Sequence, residues 1–127
     1  MDTRVFVCDD ADGIQFFIGD LFHSIGGLQV VGSASTEPQA KFWLVANQAE
    51  WELAIVDLVL DEGSGLGVIT AARQTHPAGR VVVFSSYATP AIRTHCLSIG
   101  AEAVFSKSDA TAFAAWLGAQ VQGRRGD

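Results

Sequence analysis

Five short apolar runs recur along the chain and alternate with segments of helical periodicity. Each run is rich in β-branched residues and continuous in its apolar character, which is typical of strands that are buried on both faces of a sheet. In the segment after the first run, apolar residues recur on one helix face, at Ile18, Leu21, Phe22 and Ile25. The alternation predicts an α/β fold with a doubly wound, five-stranded parallel sheet. The runs lie at 4–8, 28–34, 53–56, 80–84 and 103–106.

Capping residues predict where several of the intervening helices begin. Thr36 with Pro38, and Thr89 with Pro90, combine an N-cap hydroxyl with a proline in the first turn. Ser108 or Asp109 is the expected cap of the last helix, which we extend to residue 121. The glycine-rich stretch 63–67 predicts a turn that leads into a short helix over 68–74.

Length and charge exclude several classes of protein. The chain has 127 residues and a formal net charge of −6, so we expect one domain that binds neither nucleic acid nor membrane directly. The most apolar segment, at 53–60, is interrupted by Asp57 and is far shorter than a membrane span. Cys8 and Cys96 are far apart, and no secretion signal opens the sequence. Reduced thiols in a cytoplasmic protein are therefore expected.

Polar and charged residues stand at the end of four of the five predicted strands. In a doubly wound sheet this edge holds the ligand site. Three carboxylates gathered there repel one another unless a cation neutralises them, and Mg²⁺ prefers oxygen ligands. One acid is then free to attack a phosphoryl donor and form an aspartyl phosphate, while a hydroxyl and an ammonium contact the phosphoryl oxygens. The residues are Asp9, Asp10, Asp57, Ser85 and Lys107.

A purely structural interpretation applies to each of these residues alone. A single Asp at a strand end commonly caps a helix or forms a turn. Matching residue types at four strand ends favour the functional interpretation, because independent features then agree with one another.

Four stretches carry a resemblance to a known family: VFVCDD, IVDLVLDEGSGLGVI, RVVVFSSYA and GAEAVFSKS. Over residues 3–121 the chain resembles the response-regulator receiver domain of bacterial two-component signalling. The resemblance implies a flavodoxin-like (βα)5 three-layer sandwich. We expect a stand-alone receiver domain over 1–122, followed by a disordered tail at 123–127.

The resemblance also implies a role for each site residue. Asp57 matches the phosphoacceptor, Asp10 the acid that binds Mg²⁺ directly, and Asp9 the acid that holds it through water. The backbone carbonyl of Val59 would be a further Mg²⁺ ligand. The remaining matches are Ser85 with the switch hydroxyl, Ser86 with the small residue that keeps the site open, and Lys107 with the phosphate-pairing lysine.

Partners follow from the same resemblance. A sensor histidine kinase or a phosphotransfer protein would donate its phosphoryl group, and the domain would turn over no external metabolite. A downstream protein partner would meet the face built from the fourth helix, fifth strand and fifth helix. This face would include Ile92, His95, Phe105 and Trp116.

Three positions depart from the family pattern. Val104 stands where the family usually has an aromatic switch residue, with Phe105 next to it. Ser108 replaces a proline that often follows a cis bond, and a cis bond before another residue costs about 2.5–4 kcal/mol. Asp61 replaces a proline after the phosphoacceptor, and with Glu62 it adds acids that we expect either to weaken the reaction with acidic donors or to tune metal affinity.

Two alternative functions remain open from the sequence. The order Asp10-Ala-Asp12-Gly13 resembles the DxDG motif of haloacid-dehalogenase-type phosphatases, in which Asp10 would be the nucleophile. That hypothesis gives Asp57 no role and finds no paired acids after Lys107. The other alternative is a receiver-like module that binds partners without phosphorylation, and it has no need of the complete set of polar residues.

Overall fold

The computed structural model describes residues 2–125 and contains ten alternating strands and helices. The strands are β1 Thr3–Cys8, β2 Leu28–Ala34, β3 Leu53–Val56, β4 Arg80–Ser85 and β5 Ala103–Ser106. The helices are α1 Ile14–Ile25, α2 Glu37–Ala46, α3 Gly65–Thr75, α4 Pro90–Ser98 and α5 Ala110–Arg125. All five predicted strands are confirmed.

The strands form one parallel sheet in the order β2-β1-β3-β4-β5. The strand order reverses at β1, since the chain passes to β2 on one side of it and to β3 on the other. In such sheets a crevice forms at this reversal, outside the carboxyl ends of β1 and β3. The doubly wound, flavodoxin-like α/β prediction is therefore confirmed.

Alternating side chains of the strands build two separate cores. Val5 and Val7 of β1 pack on one face of the sheet, while Phe6 and Cys8 pack on the other. This alternation follows from the period of two in a strand. Helices α1 and α5 cover the first face, and α2, α3 and α4 cover the second. Burial on both faces explains why the strands are continuous apolar runs in the sequence.

The predicted helix caps are present, but α3 begins earlier than predicted. Thr36 accepts from the backbone N–H of Gln39, and Thr89 accepts from that of Ile92. Asp109 Oδ1 accepts from Ala112 N at 3.3 Å, which decides between the two candidate caps of α5. Helix α3 is capped by Ser64 and begins at Gly65, so the predicted start at residue 68 was three residues late.

The start of α3 was misplaced because its first glycine serves a packing purpose. A Cβ atom at Gly65 would lie 2.0 Å from the backbone oxygen of Asp57. Only glycine lets the helix begin against this strand end. Residues 65–67 of the glycine-rich stretch are thus part of the helix, and only Gly63 and Ser64 precede it.

The remaining predictions about the chain as a whole have mixed outcomes. Helix α5 continues to Arg125, so positions 123–125 of the predicted tail are helical, and the last two positions lie outside the described residues. No helix within residues 2–125 is long and apolar enough to cross a membrane.

Cys8 and Cys96 are both free thiols and both buried. No cis peptide bond occurs in the described chain, so Lys107–Ser108 is trans.

We predict that Gly65→Ala destabilises the protein by about 1–3 kcal/mol, because the new methyl group meets backbone atoms that have little room to move. Gly19→Ala is the matched control, since a Cβ there meets nothing within 4 Å on helix α1. It should stabilise the protein by about 0.5–1 kcal/mol through helix propensity. Urea denaturation of both variants measures the two effects. Equal stabilities would contradict the packing role of Gly65.

Candidate functional site

The backbone brings the acidic residues together at the carboxyl ends of β1 and β3. Asp9 and Asp10 directly follow β1, and Asp57 directly follows β3. The N–H of Asp57 donates to the carbonyl of Cys8 at 2.8 Å, and the N–H of Asp9 donates to that of Ala34 at 3.0 Å. These bonds extend the strand ladders by one residue. They fix Asp9 and Asp57 side by side at the crevice.

Three carboxylates form a cluster that fits a divalent cation. One oxygen from each of Asp9, Asp10 and Asp57 lies within 4.8 Å of the other two. Oxygens bound to one octahedral Mg²⁺ at 2.0–2.1 Å are about 2.9 Å apart when adjacent and about 4.2 Å apart when opposite, so the carboxylates would move closer together around the ion. Asp9 and Asp57 are buried, and Asp10 is half-buried. Hard oxygen donors and concentrated negative charge make these residues suitable for Mg²⁺.

Lys107 lies between two of these carboxylates. Its Nζ contacts Asp9 Oδ2 at 2.9 Å and Asp57 Oδ2 at 3.0 Å. The other oxygen of each carboxylate accepts from the backbone: Asp9 Oδ1 from Ala11 N at 2.8 Å, and Asp57 Oδ1 from Leu58 N at 2.7 Å. Both acids are therefore held in fixed orientations, and a single ammonium partly neutralises them.

The pKa values at the site reflect burial and crowded charge. Burial raises the pKa of Asp9 above its ordinary value, although the hydrogen bonds from Lys107 and Ala11 oppose the rise. Burial also raises the pKa of Asp10, and the nearby Asp61 carboxyl raises it further. For Lys107, burial lowers the pKa, but its bonds to Asp9 and Asp57 together outweigh that effect and raise it. Lys107 is thus charged at neutral pH.

Cys8 lies in the core beneath the acidic cluster. Burial, and then the charges of Asp9 and Asp57, raise the pKa of its thiol to about 12. The thiol is therefore neutral under ordinary conditions. Cys8 therefore serves as a small apolar core residue.

The other predicted site residues lie at the end of β4 and just after β4 and β3: Ser85, Ser86 and Val59. Ser85 is fully buried at the end of β4, and its Oγ accepts from Tyr87 N at 3.2 Å. Its carbonyl accepts from Lys107 N at 3.1 Å, which links the two predicted phosphate-contacting residues through the backbone. Ser86 is exposed. Val59 lies in the loop after Asp57, is 47% exposed, and pairs with Ser64 in an isolated β-bridge.

The position of the family's aromatic residue is filled by a core side chain. Val104 is 1% exposed and packs on the face covered by α2, α3 and α4. The neighbouring Phe105 points to the opposite face, where its ring lies 5.8 Å from Phe113 and 6.0 Å from Trp116. Adjacent residues of a strand face opposite sides of the sheet. Phe105 therefore does not take the place of an aromatic at 104.

Comparison with known proteins decides the family. The family model of the response regulator receiver domain matches residues 5–114 of this chain. The chain belongs to this family. Receiver domains are generally non-enzymatic signalling domains.

Among curated proteins, the receiver domain is similar to the photosynthetic apparatus regulatory protein RegA of Rhodobacter capsulatus. The two are 36% identical over 64 residues, which is 50% of this chain and 34% of RegA. The match thus spans about a third of that relative.

Several solved structures share the fold. A response regulator of Burkholderia pseudomallei with a phosphorylated aspartic acid and a calcium ion is 25% identical, with a TM-score of 0.70 over 98% of this chain and 73% of that one. The receiver domain of NarL from Mycobacterium tuberculosis is 26% identical, with a TM-score of 0.72 over 84% of each chain. CheY in its complex with CheX, BeF3 and Mg²⁺ from Borrelia burgdorferi is 16% identical, with a TM-score of 0.76 over 82% of this chain and 77% of that one.

One feature of the site was not found from the sequence. The side chain of Glu37, on α2, accepts from the backbone N–H of Ser64 at 2.8 Å in the loop that follows Asp57. The sequence showed only an acid in the first turn of a helix, a common position for Glu. A contact between residues 27 positions apart leaves no local pattern.

We predict that Lys107→Met destabilises the receiver domain by about 3 kcal/mol at pH 8, near the lower end of the cost of leaving buried charges unpaired. The lower end applies because Lys107 keeps 20% of its side chain exposed. The raised pKa of Lys107 means that its stabilisation is complete below the lysine pKa of the unfolded chain and is lost only as the pH rises through the folded pKa. Urea denaturation at pH 8 and pH 5 measures the effect.

The defect of Lys107→Met should shrink at pH 5. Without the ammonium the pKa of Asp9 rises further, so protonation of the carboxyl relieves the repulsion as the pH falls. Lys41→Met is the control, because Lys41 keeps 51% of its side chain exposed in its ion pair with Glu37, and its loss should cost less than about 1 kcal/mol. A defect that is the same at both pH values would argue against charge repulsion as its cause.

Proposed function

We propose that this receiver domain is a phosphoacceptor of a two-component phosphorelay, in which Asp57 receives a phosphoryl group from a sensor histidine kinase or a phosphotransfer protein. The observation that carries the proposal is the shared Lys107 ammonium between Asp9 and Asp57, beside a third acid. This arrangement provides an oriented carboxylate and a cation able to pair with a phosphoryl oxygen. Phosphorylation then alters the binding of a downstream protein.

Asp57 is the nucleophile in this proposal. The bond from Leu58 N to Oδ1 fixes the rotation of its carboxylate in the buried crevice. One carboxylate oxygen forms a bond to phosphorus as the donor's phosphorus–nitrogen bond breaks. The imidazole of the donor leaves with the electron pair, and the product is an aspartyl phosphate.

Asp9, Asp10, Asp57 and the carbonyl of Val59 would hold Mg²⁺. When bound, the ion neutralises the carboxylates and the phosphoryl oxygens during the transfer. Asp10 is the most accessible of the three acids, which suits a direct ligand. Asp9 is deeper and bonded to Lys107, which suits contact through water.

Lys107 and Ser85 respond to the new charge. Once Asp57 carries a phosphoryl group, its oxygens compete with the carboxylates for the Lys107 ammonium. The Ser85 hydroxyl, which accepts from Tyr87 N, would rotate to donate to another phosphoryl oxygen. Because Tyr87 lies just before α4, this rotation reaches the segment that leads into the helix.

The partner surface proposed for the output includes α4, β5 and α5. His95 is exposed on this face, and Ile92 is half-buried. Phe105 and Trp116 are also half-buried, and each packs in part against the core covered by α1 and α5. The negative net charge favours a protein partner over nucleic acid or membrane, and a cytoplasmic location fits a kinase as the phosphoryl donor.

We expect acetyl phosphate with Mg²⁺ to transfer one phosphoryl group to the wild-type chain and none to Asp57→Asn, because Asp57 is the attacking carboxylate. Intact-mass spectrometry with peptide mapping measures the label and its position. Label on Asp10, or release of phosphate by Asp57→Asn at the wild-type rate, would instead support the phosphatase hypothesis. The absence of label from both acetyl phosphate and a cognate kinase would support the binding module.

Mg²⁺ at 100 times its dissociation constant should raise the free energy of unfolding by about 2.7 kcal/mol, because it binds the folded chain alone. Asp10→Asn should abolish most of this increase. The same variant should be more stable than wild type without metal at pH 7, since the raised pKa of Asp10 marks an unfavourable charge. Thermal unfolding with Mg²⁺ and with EDTA measures both effects, and Asp20→Asn is a control on α1.

A further inference from the structure

Besides the contact of Lys107 with Asp57, a contact outside the acidic cluster joins the Asp57 loop to the rest of the molecule. The loop of residues 57–64 leaves β3, passes Val59 and ends at the cap of α3. Opposite its far end stands Glu37, the first residue of α2. The side chain of Glu37 is about one-fifth exposed.

Glu37 holds this loop through its backbone and its side chain. Its N–H donates to the carbonyl of Glu62 at 2.9 Å, and its Oε1 accepts from Ser64 N at 2.8 Å. Its Oε2 pairs with Lys41 Nζ at 2.6 Å, one turn further along α2. These bonds lower the pKa of Glu37, with Lys41 as the largest cause and Ser64 next. The carboxylate is therefore charged at neutral pH.

Two glycines leave the space that the Glu37 side chain fills. A Cβ atom at Gly63 would lie 2.5 Å from Glu37 Cβ, and one at Gly67 would lie 2.2 Å from Glu37 Oε2. Gly63 also has a φ of 82°, in the region that favours glycine. The glycine-rich stretch therefore receives the carboxylate as well as beginning a helix.

Ser64 passes this restraint to the metal-binding part of the loop. It forms a β-bridge with Val59, whose carbonyl is the proposed Mg²⁺ ligand. The next residue, Gly65, donates its N–H to the carbonyl of Leu58 at 3.0 Å and packs against Asp57 O. Fixing Ser64 thus fixes both ends of the short segment from Asp57 to Val59.

We infer that Glu37 is a positioning residue, which sets the Mg²⁺ affinity of the site by holding Ser64 and, through it, the Val59 carbonyl. This inference rests on the proposed function. Residues that orient metal ligands commonly change the affinity by about 10–100-fold when removed. Glu37 touches neither the acids nor the phosphoryl group, so it acts on binding geometry and not on the chemical step.

The test measures Mg²⁺ binding and phosphorylation separately on the full chain. Calorimetric titration with Mg²⁺ alone gives the dissociation constant, and labelling by acetyl phosphate at increasing Mg²⁺ gives the half-saturating concentration and the maximal rate. We expect Glu37→Ala to weaken Mg²⁺ binding about tenfold, while the maximal rate at saturating Mg²⁺ stays within about twofold of wild type. Glu37→Gln keeps an oxygen acceptor for Ser64 N, so it should recover most of the affinity.

Gly67→Ala is a second variant that leaves Glu37 in the chain. The new methyl group displaces the carboxylate, but it also raises the helix propensity of α3. A loss of Mg²⁺ affinity in a variant that is as stable as wild type would separate positioning from general destabilisation. Glu102→Ala is the control, since it breaks an exposed ion pair with Arg80 away from the site and should leave Mg²⁺ affinity unchanged.

Amide exchange measured by NMR on the metal-free protein provides an independent readout. The Ser64 N–H should exchange faster in Glu37→Ala and Gly67→Ala than in wild type. Wild-type Mg²⁺ affinity in both variants would overturn the role of Glu37 and leave the proposed function intact. If the wild-type chain neither binds Mg²⁺ nor accepts a phosphoryl group, the proposed function and this inference both fail.

Discussion

The convergence of three carboxylates at one sheet edge is the constraint on which the rest of the structure depends. Asp9 and Asp57 are buried, and like charges in such a place oppose folding unless they are compensated. Lys107 supplies the compensation from β5, two strands away from β3, through one ammonium shared by both acids. The strand order of the sheet therefore matters for the site, because it places Lys107 next to Asp9 and Asp57.

The acids of the site can be neutralised in two ways, by the Lys107 ammonium or by a bound divalent cation. In the metal-free chain the lysine neutralises the acids in part, and the pKa values of Asp9 and Asp10 stay raised, first because burial disfavours their charged forms and then because other carboxylates lie close by. In the proposed function, a divalent cation would relieve this cost, and the lysine would pair with a phosphoryl group. A site that is well folded yet incompletely neutralised is suited to respond to modification.

Different contacts hold the two ends of the Asp57 loop. Backbone ladders and Lys107 hold the strand ends, whereas Glu37 of α2 holds the far end of the loop, in the space that Gly63 and Gly67 leave. The sequence indicated Asp57 and Lys107 because each directly follows an apolar run. It gave no indication of Glu37, since first-turn acids are common and the loop contact spans 27 residues.

The sequence by itself determined the five strands, the two-sided burial of the sheet and the residues at its functional edge. Those features depend on local apolar periodicity and on which residue follows a strand, and both can be read along the chain. The tertiary structure decided the start of α3, the packing of Phe105 on the face covered by α1 and α5, and the contact of Glu37 with the loop. Each of these features depends on the space or the partner that a distant segment provides. Local sequence patterns cannot predict them, because such patterns do not show which distant segments come into contact.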